Sequence, residues 1–479
     1  MPWLLHLAVM GRAGLGSDEA HYALYAWHLD WSYFDHPPLV GWMQAAVLLV
    51  SSTEFALRVV PLLFAAGTAW LVWRLTPKLF PDASPWVGVG AVALLQSAPG
   101  LQLQGMALVP EVPLVFFALL VVHLTLDLLE RDTLPRWLLL GAALGLAGLS
   151  KYTAVTLAPS LVWVFAARGR LDVLRRPGPW LAVAVGAALV SPVLVWNQAH
   201  DWISFRYQID HGTGGKGWEA GNLGQSQAGQ LGVYGPVLFL GAYAALVSGW
   251  RERRDRGVCV SLAFAWPVLL LFGYSSGKDP GLPHWTALAF VVSAPLTARW
   301  LAARWERAWL RRACLGWAGF MVVFVLFLHS EVATPWAPFP DYKDPTAALT
   351  DWDEAAARSA ALLDAMAEEP GPPPRQFIDN WTRAGRLAWY GRPRGVSVVD
   401  KKTAPSSQFD LWYGQPEAGD RGILVVWDKD GDEITAESLK DGRLFEHCEL
   451  VDELPVERGG RRLARFLFFE VRGYVGPEA

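Results

Sequence analysis

The chain has 479 residues, 53% of them hydrophobic and only 18% charged, with a formal net charge of −4. Length alone would suggest about three soluble domains. The apolar residues, however, are gathered in runs long enough to cross a hydrocarbon core, which takes roughly 17–25 helical residues. That excludes an ordinary soluble enzyme. Nothing in the charge points to nucleic acid, and the three cysteines form no readable disulfide framework or Cys-based metal site.

In chain order, eleven spans are predicted: 2–16, 56–75, 86–103, 108–129, 136–149, 151–167, 179–196, 229–249, 258–274, 282–299 and 311–330. The apolar start lacks a basic n-region and a clear cleavage site, so no removed signal peptide is expected. Gly141, Gly145 and Gly148 in the fifth span predict close helix packing. Residues 39–52 are apolar but are read as a juxtamembrane helix, because a twelfth span would scramble the charge pattern. Loops 74–85, 130–136, 168–178, 250–257 and 299–312 carry 17 Lys and Arg. The alternate loops carry only Lys151, Arg206, Lys216 and Lys278. By the positive-inside bias the first set is cytoplasmic, and an odd number of spans places the tail outside.

Near residue 335 the composition turns polar and Pro-rich. Helices are predicted at 353–368 and 381–390, and strands at 375–379, 396–400, 421–427 and 463–470, where β-branched or aromatic runs are bounded by Gly and Asp. The expected architecture is mainly α: a polytopic membrane domain over 1–334, followed by a small extracytoplasmic α/β domain over 335–479.

The loop after the first span holds Asp18, Glu19, Asp30 and Asp35 with His21, His28 and His36, and no Lys or Arg. Paired carboxylates at a membrane boundary are costly unless solvated, capping or paired. Ser17-Asp18-Glu19 can start a helix, where acids favour the dipole; the same rigidity suits a carboxylate held beside a substrate. Asp35-His-Pro-Pro38 is a stiff turn. Glu111 follows Pro110 at the head of a span, either as an N-terminal acid or as a second acid facing a site. Lys151, Arg206 and Lys278 are conspicuous because external cations are scarce; each is either a snorkelling interface residue or a phosphate ligand. Asp201 and His211 flank a Gly-rich stretch, 212–217, that lacks the strand–loop–helix context of a phosphate cradle and is read as a lid or linker. Asp18, Glu19, His21, His36 and His284 could converge on a divalent metal, although no spacing among them is diagnostic.

Asp18-Glu19-x-His21-Tyr22, Tyr33-Phe-Asp-His-Pro-Pro-Leu39 and Glu54-Phe-Ala-Leu-Arg58 resemble bacterial members of the protein O-mannosyltransferase-like family (glycosyltransferase family 39, GT-C fold), which includes the aminoarabinose transferases of lipid A. Val109-Pro-Glu-Val-Pro-Leu114, Leu149-Ser-Lys-Tyr-Thr153, Asp201-Trp-Ile-Ser-Phe-Arg206, Lys278 with Leu282-Pro-His-Trp285, and Ser407-Gln-Phe-Asp-Leu-Trp412 extend the similarity over nearly the whole chain. Some members carry Lys before the Pro-Pro pair, where this chain has His36, a cation only when protonated.

The resemblance implies an inverting glycosyltransferase of the bacterial inner membrane. It would use a polyprenyl-phosphate sugar donor from the membrane lipid and a lipid, glycan or protein acceptor. Asp18, with Glu19, would be the catalytic carboxylate. His36, Glu111, Lys151, Arg206, Lys278 and His284 would contact substrate. A lipid-linked saccharide transporter or flippase is the first alternative, but transporters place ionisable groups near mid-membrane, where His123 is the main example here. A non-catalytic scaffold is the second, and it leaves the acidic loop without a role.

Overall fold

The computed structural model describes residues 2–213, 217–399, 406–431, 433–437, 439 and 441–476. Lys216, one of the few cations of the sparse loops, lies outside the described residues, as does the centre of the Gly-rich stretch.

The helices run α1 (Pro2–Val9), α2 (Ser17–Trp27), α3 (Leu39–Leu48), α4 (Glu54–Leu79), α5 (Trp86–Gln96), α6 (Pro99–Gln104), α7 (Glu111–Glu130), α8 (Leu134–Ser150), α9 (Leu157–Ala167) and α10 (Pro177–Ala199). They continue as α11 (Ile203–Thr213), α12 (Ala220–Gly249), α13 (Arg256–Lys278), α14 (Ala287–Ala302), α15 (Ala308–Ala333), α16 (Trp352–Ala367), α17 (Trp381–Tyr390) and α18 (Gln408–Tyr413). Among the described residues six helices are long and apolar enough to cross a membrane: α4, α7, α10, α12, α13 and α15. Each matches one of the expected spans. The other five expected spans take shorter helical form. One of them, 86–103, is broken into α5 and α6, because Pro99 opens α6 and cannot continue the helix before it. Residues 39–48 form a ten-residue helix, too short to cross.

Contacts divide the chain into two compact units. The first holds residues 1–6, 30–43 and 58–326, and the second holds 7–29, 44–57 and 327–479.

In the first unit α8 and α10 pack at backbone distance. A Cβ on Gly141 would lie 2.4 Å from the Ala182 carbonyl oxygen, and one on Gly145 or Gly148 would overlap Leu189 or Val190. The glycine stripe read from the sequence is therefore a helix–helix seam. Ion pairs gather all five basic loops at one end of this unit. Arg176 meets Asp132 at 2.7 Å, and Arg256 meets Glu130 at 2.9 Å. Arg256 also donates to the Lys78 carbonyl and Arg168 to the Arg254 carbonyl, while Arg299 pairs with Glu252. Such exposed pairs contribute at most about 1 kcal/mol each, but they define a face. Helix α7 leaves that face at Glu130, so Glu111 at its other end stands about 28 Å away by helical rise.

The second unit carries a five-stranded sheet of β1 (Arg375–Ile378), β2 (Ser397–Val398), β3 (Gly422–Asp428), β4 (Phe445–Arg458) and β5 (Arg461–Tyr474), in the order β2-β1-β3-β5-β4. Strands β2, β1 and β3 are parallel; β5 and β4 are antiparallel additions. Side chains alternate across the sheet. Ile423, Val425 and Trp427 join a core with α2, α16 and α17, while Leu424 and Val426 join a second core with Phe377 and Phe469. Strand β4 was not anticipated. It is an edge strand whose outward residues are charged and whose pairing slips at two points, both devices that protect an open edge.

Candidate active site

The first unit buries an ion pair at the end remote from the basic loops. Glu111 begins α7 behind Pro110, and Lys151 stands at the extended end of α8. Because α7 and α8 run antiparallel through a short connection, the head of one meets the tail of the other. Lys151 Nζ contacts Glu111 Oε1, with the two residues 7% and 2% exposed. His284 Nε2 lies 3.4 Å from the same oxygen, and the His36 side chain is within electrostatic range of it. The Lys151 ammonium also lies 5.5 Å from the centre of the Trp285 ring. Among the expected site residues, the fold thus brings His36, Glu111, Lys151 and His284 together.

The supports of this cluster are specific. Gly281 adopts φ +61°, and its missing Cβ leaves room for the Trp285 ring, which would otherwise be 3.0 Å away. Thr286 donates towards Gln230 and Tyr234, and Tyr234 donates to the Pro283 carbonyl at 3.1 Å, pinning the Pro-His-Trp turn. Sequence reading missed Gln230 and Tyr234, and Ser226, which accepts from the Gln230 amide at 3.2 Å. Their spacing of four on an apolar span was the available signal. The Asp35-His36 turn is likewise tied. Gln208 donates to the Asp35 carbonyl at 2.7 Å, Ser204 to the Tyr33 carbonyl at 2.8 Å, and Trp196 to the Asp30 carboxylate at 2.7 Å. Burial, reinforced by Asp35, pushes the Tyr207 phenol up to about 12, so it stays protonated as a donor. On another side Glu111 borders a small cavity shared with His6, Gln96, Gln102 and Gln104.

Arg206 stands apart from this cluster: it is exposed, and its guanidinium bonds the Asp201 carbonyl. Lys278 is the last residue of α13, and its carbonyl accepts from Asn222 at 3.3 Å.

Asp18 and Glu19 belong to the second unit. Both occupy the first turn of α2, where the Glu19 carboxylate accepts the Gly16 N–H at 2.9 Å. The cap is therefore supplied by Glu19 from within the helix, and Ser17, expected as the cap, is already helical. The loop before the helix is bound on both sides: the Gly14 N–H donates to the Leu349 carbonyl, and the Leu15 N–H donates to the Tyr390 hydroxyl, which itself donates to Glu54. His21 is enclosed by Tyr25, Trp381, Phe409 and Trp412. His28 stacks on Trp412 and bonds the Tyr413 hydroxyl at 2.8 Å. A polar cavity of about 260 Å³ opens beside Arg12, Glu54, Asp351, Tyr390 and Arg458. Among the described residues no group of three or more His, Cys, Asp or Glu is placed to hold a metal ion. Of the set considered from sequence, Asp18, Glu19 and His21 lie in the second unit and His36 and His284 in the first.

Multiple apolar spans, a buried cation–carboxylate cluster remote from a basic face, and an appended α/β unit define a multi-pass membrane protein of the ArnT-like GT-C fold. The crystal structure of ArnT from Cupriavidus metallidurans, in the apo state and bound to undecaprenyl phosphate, superposes with a TM-score of 0.61 at 14% identity, covering 97% of this chain and 96% of that one. Residues 35–196 match the family model of dolichyl-phosphate-mannose-protein mannosyltransferases. The resemblance read from the loop motifs is borne out. The matched stretch includes His36, Glu111 and Lys151, and begins after Asp18 and Glu19.

Among characterised relatives, the chain is 29% identical over 305 residues to the lipid A galacturonosyltransferase RgtD of Rhizobium johnstonii, covering 60% of this chain and 61% of that protein. It is 27% identical over 186 residues to the lipopolysaccharide core galacturonosyltransferase RgtA of the same organism, covering 38% of this chain and 37% of that one. The chain thus matches about three fifths of the length of the first relative and under two fifths of the second.

Proposed function

We propose that this protein is a membrane glycosyltransferase that transfers a sugar from a polyprenyl-phosphate donor to an extracytoplasmic acceptor, by a single inverting displacement. The observation that carries the reading is the buried Lys151–Glu111–His284 cluster at the end of the helical unit remote from the basic loops. A dry ammonium held by a carboxylate and flanked by imidazoles suits a lipid phosphate, because preorganised charge in a water-poor site stabilises the charge that builds on a leaving oxygen. The relatives act on lipid A and lipopolysaccharide core, as their names state. A structural neighbour was crystallised with undecaprenyl phosphate. Both support a lipid-linked donor and an envelope glycolipid acceptor.

In the proposed reaction the acceptor oxygen bonds to the anomeric carbon while that carbon's bond to the phosphate oxygen breaks, its electron pair leaving with the polyprenyl phosphate. Lys151, with Lys278, His36 and His284, faces the phosphate, and Glu111 orients Lys151. Arg206 is assigned to the acceptor side. If the acceptor is a hydroxyl, Asp18 takes its proton; if it is a phosphate, little base catalysis is needed. Membranes containing the protein are to be supplied with labelled polyprenyl-phosphate sugars, and the label followed into lipid, glycan and protein fractions. Transfer into the lipid fraction is expected, and no transfer into any fraction from a broad donor panel overturns the reading.

The basic face is assigned to the cytoplasm of a bacterial inner membrane, and the 335–479 domain to the outside. Reporter fusions after residues 170 and 345 are therefore expected on opposite sides; the same side for both would discard this orientation and the eleven-span count with it.

A further inference from the structure

The polar cavity of about 260 Å³ in the second unit has no part in the proposed transfer. It is built where two helices end. Arg12, just past α1, donates from Nη1 to the carbonyl of Ala333, the last residue of α15, at 3.3 Å. Arg458 on β4 closes on the same end: its Nη2 donates to the Val332 carbonyl at 2.6 Å and its Nη1 to the Thr346 hydroxyl at 3.2 Å. Val332 itself lines the cavity. Helix α15 has 26 residues, so it rises about 39 Å against a hydrocarbon core of about 30 Å, and its last turn reaches the headgroup layer. It is the least covered of the six long apolar helices, 11% buried, which leaves room for lipid chains along it.

Glu54, Asp351 and Asp353 share the cavity with the two guanidinium groups. Glu54 accepts from the Tyr390 hydroxyl at 2.9 Å. Asp351 holds the N-cap position of α16 at φ +57° without capping the helix through its side chain. Neither it nor Asp353 forms an ion pair among the described residues. Burial, then Glu354 and Asp353, raises the Asp351 carboxyl, as happens to a carboxylate that lacks a cation. Two positive and three negative groups argue against a purely anionic occupant and match one that carries a phosphate and a cation together. The volume equals that of about nine liquid waters and falls below the roughly 300–1,000 Å³ of drug-sized pockets. One headgroup fits; an oligosaccharide does not.

We propose that this cavity binds the phosphoethanolamine headgroup of a membrane phospholipid, Arg12 and Arg458 donating to its phosphate and Asp351, with Asp353, accepting from its ammonium. A primary ammonium offers three N–H donors. A quaternary choline offers none, and a glycerol headgroup brings no cation. Gly14 also lines the cavity, and its N–H is tied to the Leu349 carbonyl at 3.1 Å. The bound lipid therefore fastens the loop that leads into α2.

Binding of this lipid is independent of sugar transfer, so it is measured without a donor. The full chain in detergent is titrated with phosphatidylethanolamine, phosphatidylcholine and phosphatidylglycerol of matched acyl chains. Retained lipid is read by native mass spectrometry, and melting is recorded for each variant. Phosphatidylethanolamine is expected to bind about tenfold more tightly than either other lipid, the worth of one hydrogen bond to a charged group. Arg12→Gln and Asp351→Asn are each expected to remove that preference while melting near the wild type in the absence of lipid. Asn tolerates the left-handed backbone at position 351. If Asp351→Asn does not fold, Asp353→Asn, at an exposed side chain, takes its place. Equal retention of the three lipids, a preference for phosphatidylglycerol, or wild-type selectivity in the variants overturns the site. Soluble glycerophosphoethanolamine, which has no acyl chains to lie along α15, is expected to compete poorly; competition at the concentration of the lipid overturns the membrane source.

Discussion

Lys151→Met is expected to abolish most transfer and to destabilise the membrane unit. Glu111 is 2% exposed, and Lys151 is its direct partner. Removing one member of a buried pair leaves the other charge unsolvated, which costs about 3–5 kcal/mol. His284, at 3.4 Å, offsets part of this when protonated. If the ammonium also stabilises the departing phosphate, turnover of the folded fraction falls by a further 10²–10³-fold, roughly the cost of losing one preorganised electrostatic donor. The double replacement Glu111→Leu with Lys151→Met separates the two effects. Well-packed apolar pairs substitute for buried ion pairs with little loss, or even a gain, of stability. The double variant should therefore melt close to the wild type in detergent and still fail to transfer sugar. If it transfers at the wild-type rate, the pair is architectural only.

Asp18→Asn is the second large expectation. The substitution preserves shape and removes the basic oxygen. With a hydroxyl acceptor, turnover should fall by about 10²–10⁴-fold, the usual contribution of a positioned general base, and donor KM should stay near its wild-type value. With a phosphate acceptor the loss should be small, because that nucleophile is already ionised. Running the same variant against both acceptor classes therefore reports the acceptor chemistry as well as the role of Asp18. Full turnover with a hydroxyl acceptor would remove Asp18 as the base.

Much of the helical skeleton was legible because membrane spans carry their own signal. The long apolar run at 258–274 lies within α13, and that at 108–129 coincides with α7 but for three residues before Glu111, since burial of that many apolar residues leaves few alternatives. The tail helices were legible for a different reason: 353–368 and 381–390 carry period-3.6 patterns, and α16 and α17 follow them closely. Strand β4 was not legible, because its outer face is charged and its sequence has no β-branched run; only pairing with β5 makes it a strand. Among site residues, Glu111, Lys151 and His284 each stood out as polar groups at the ends of apolar spans. Their contact did not stand out, although it was deducible: two antiparallel spans joined by a short loop bring the first residue of one beside the last of the other. The approach of α17 to α2 gave no warning, because it rests on the missing Cβ of Gly385 beside the His21 nitrogen.

The second unit draws on residues 7–29 and 44–57 as well as on everything after 326. Helix α2 is made early in synthesis, yet Gly385, Phe409 and Trp412, against which it packs, are made far later. Until they emerge, Ala20, Ala23 and Leu24 have no core to enter. Order of manufacture thus leaves the segment bearing Asp18 without its packing partners until nearly the whole chain has been made.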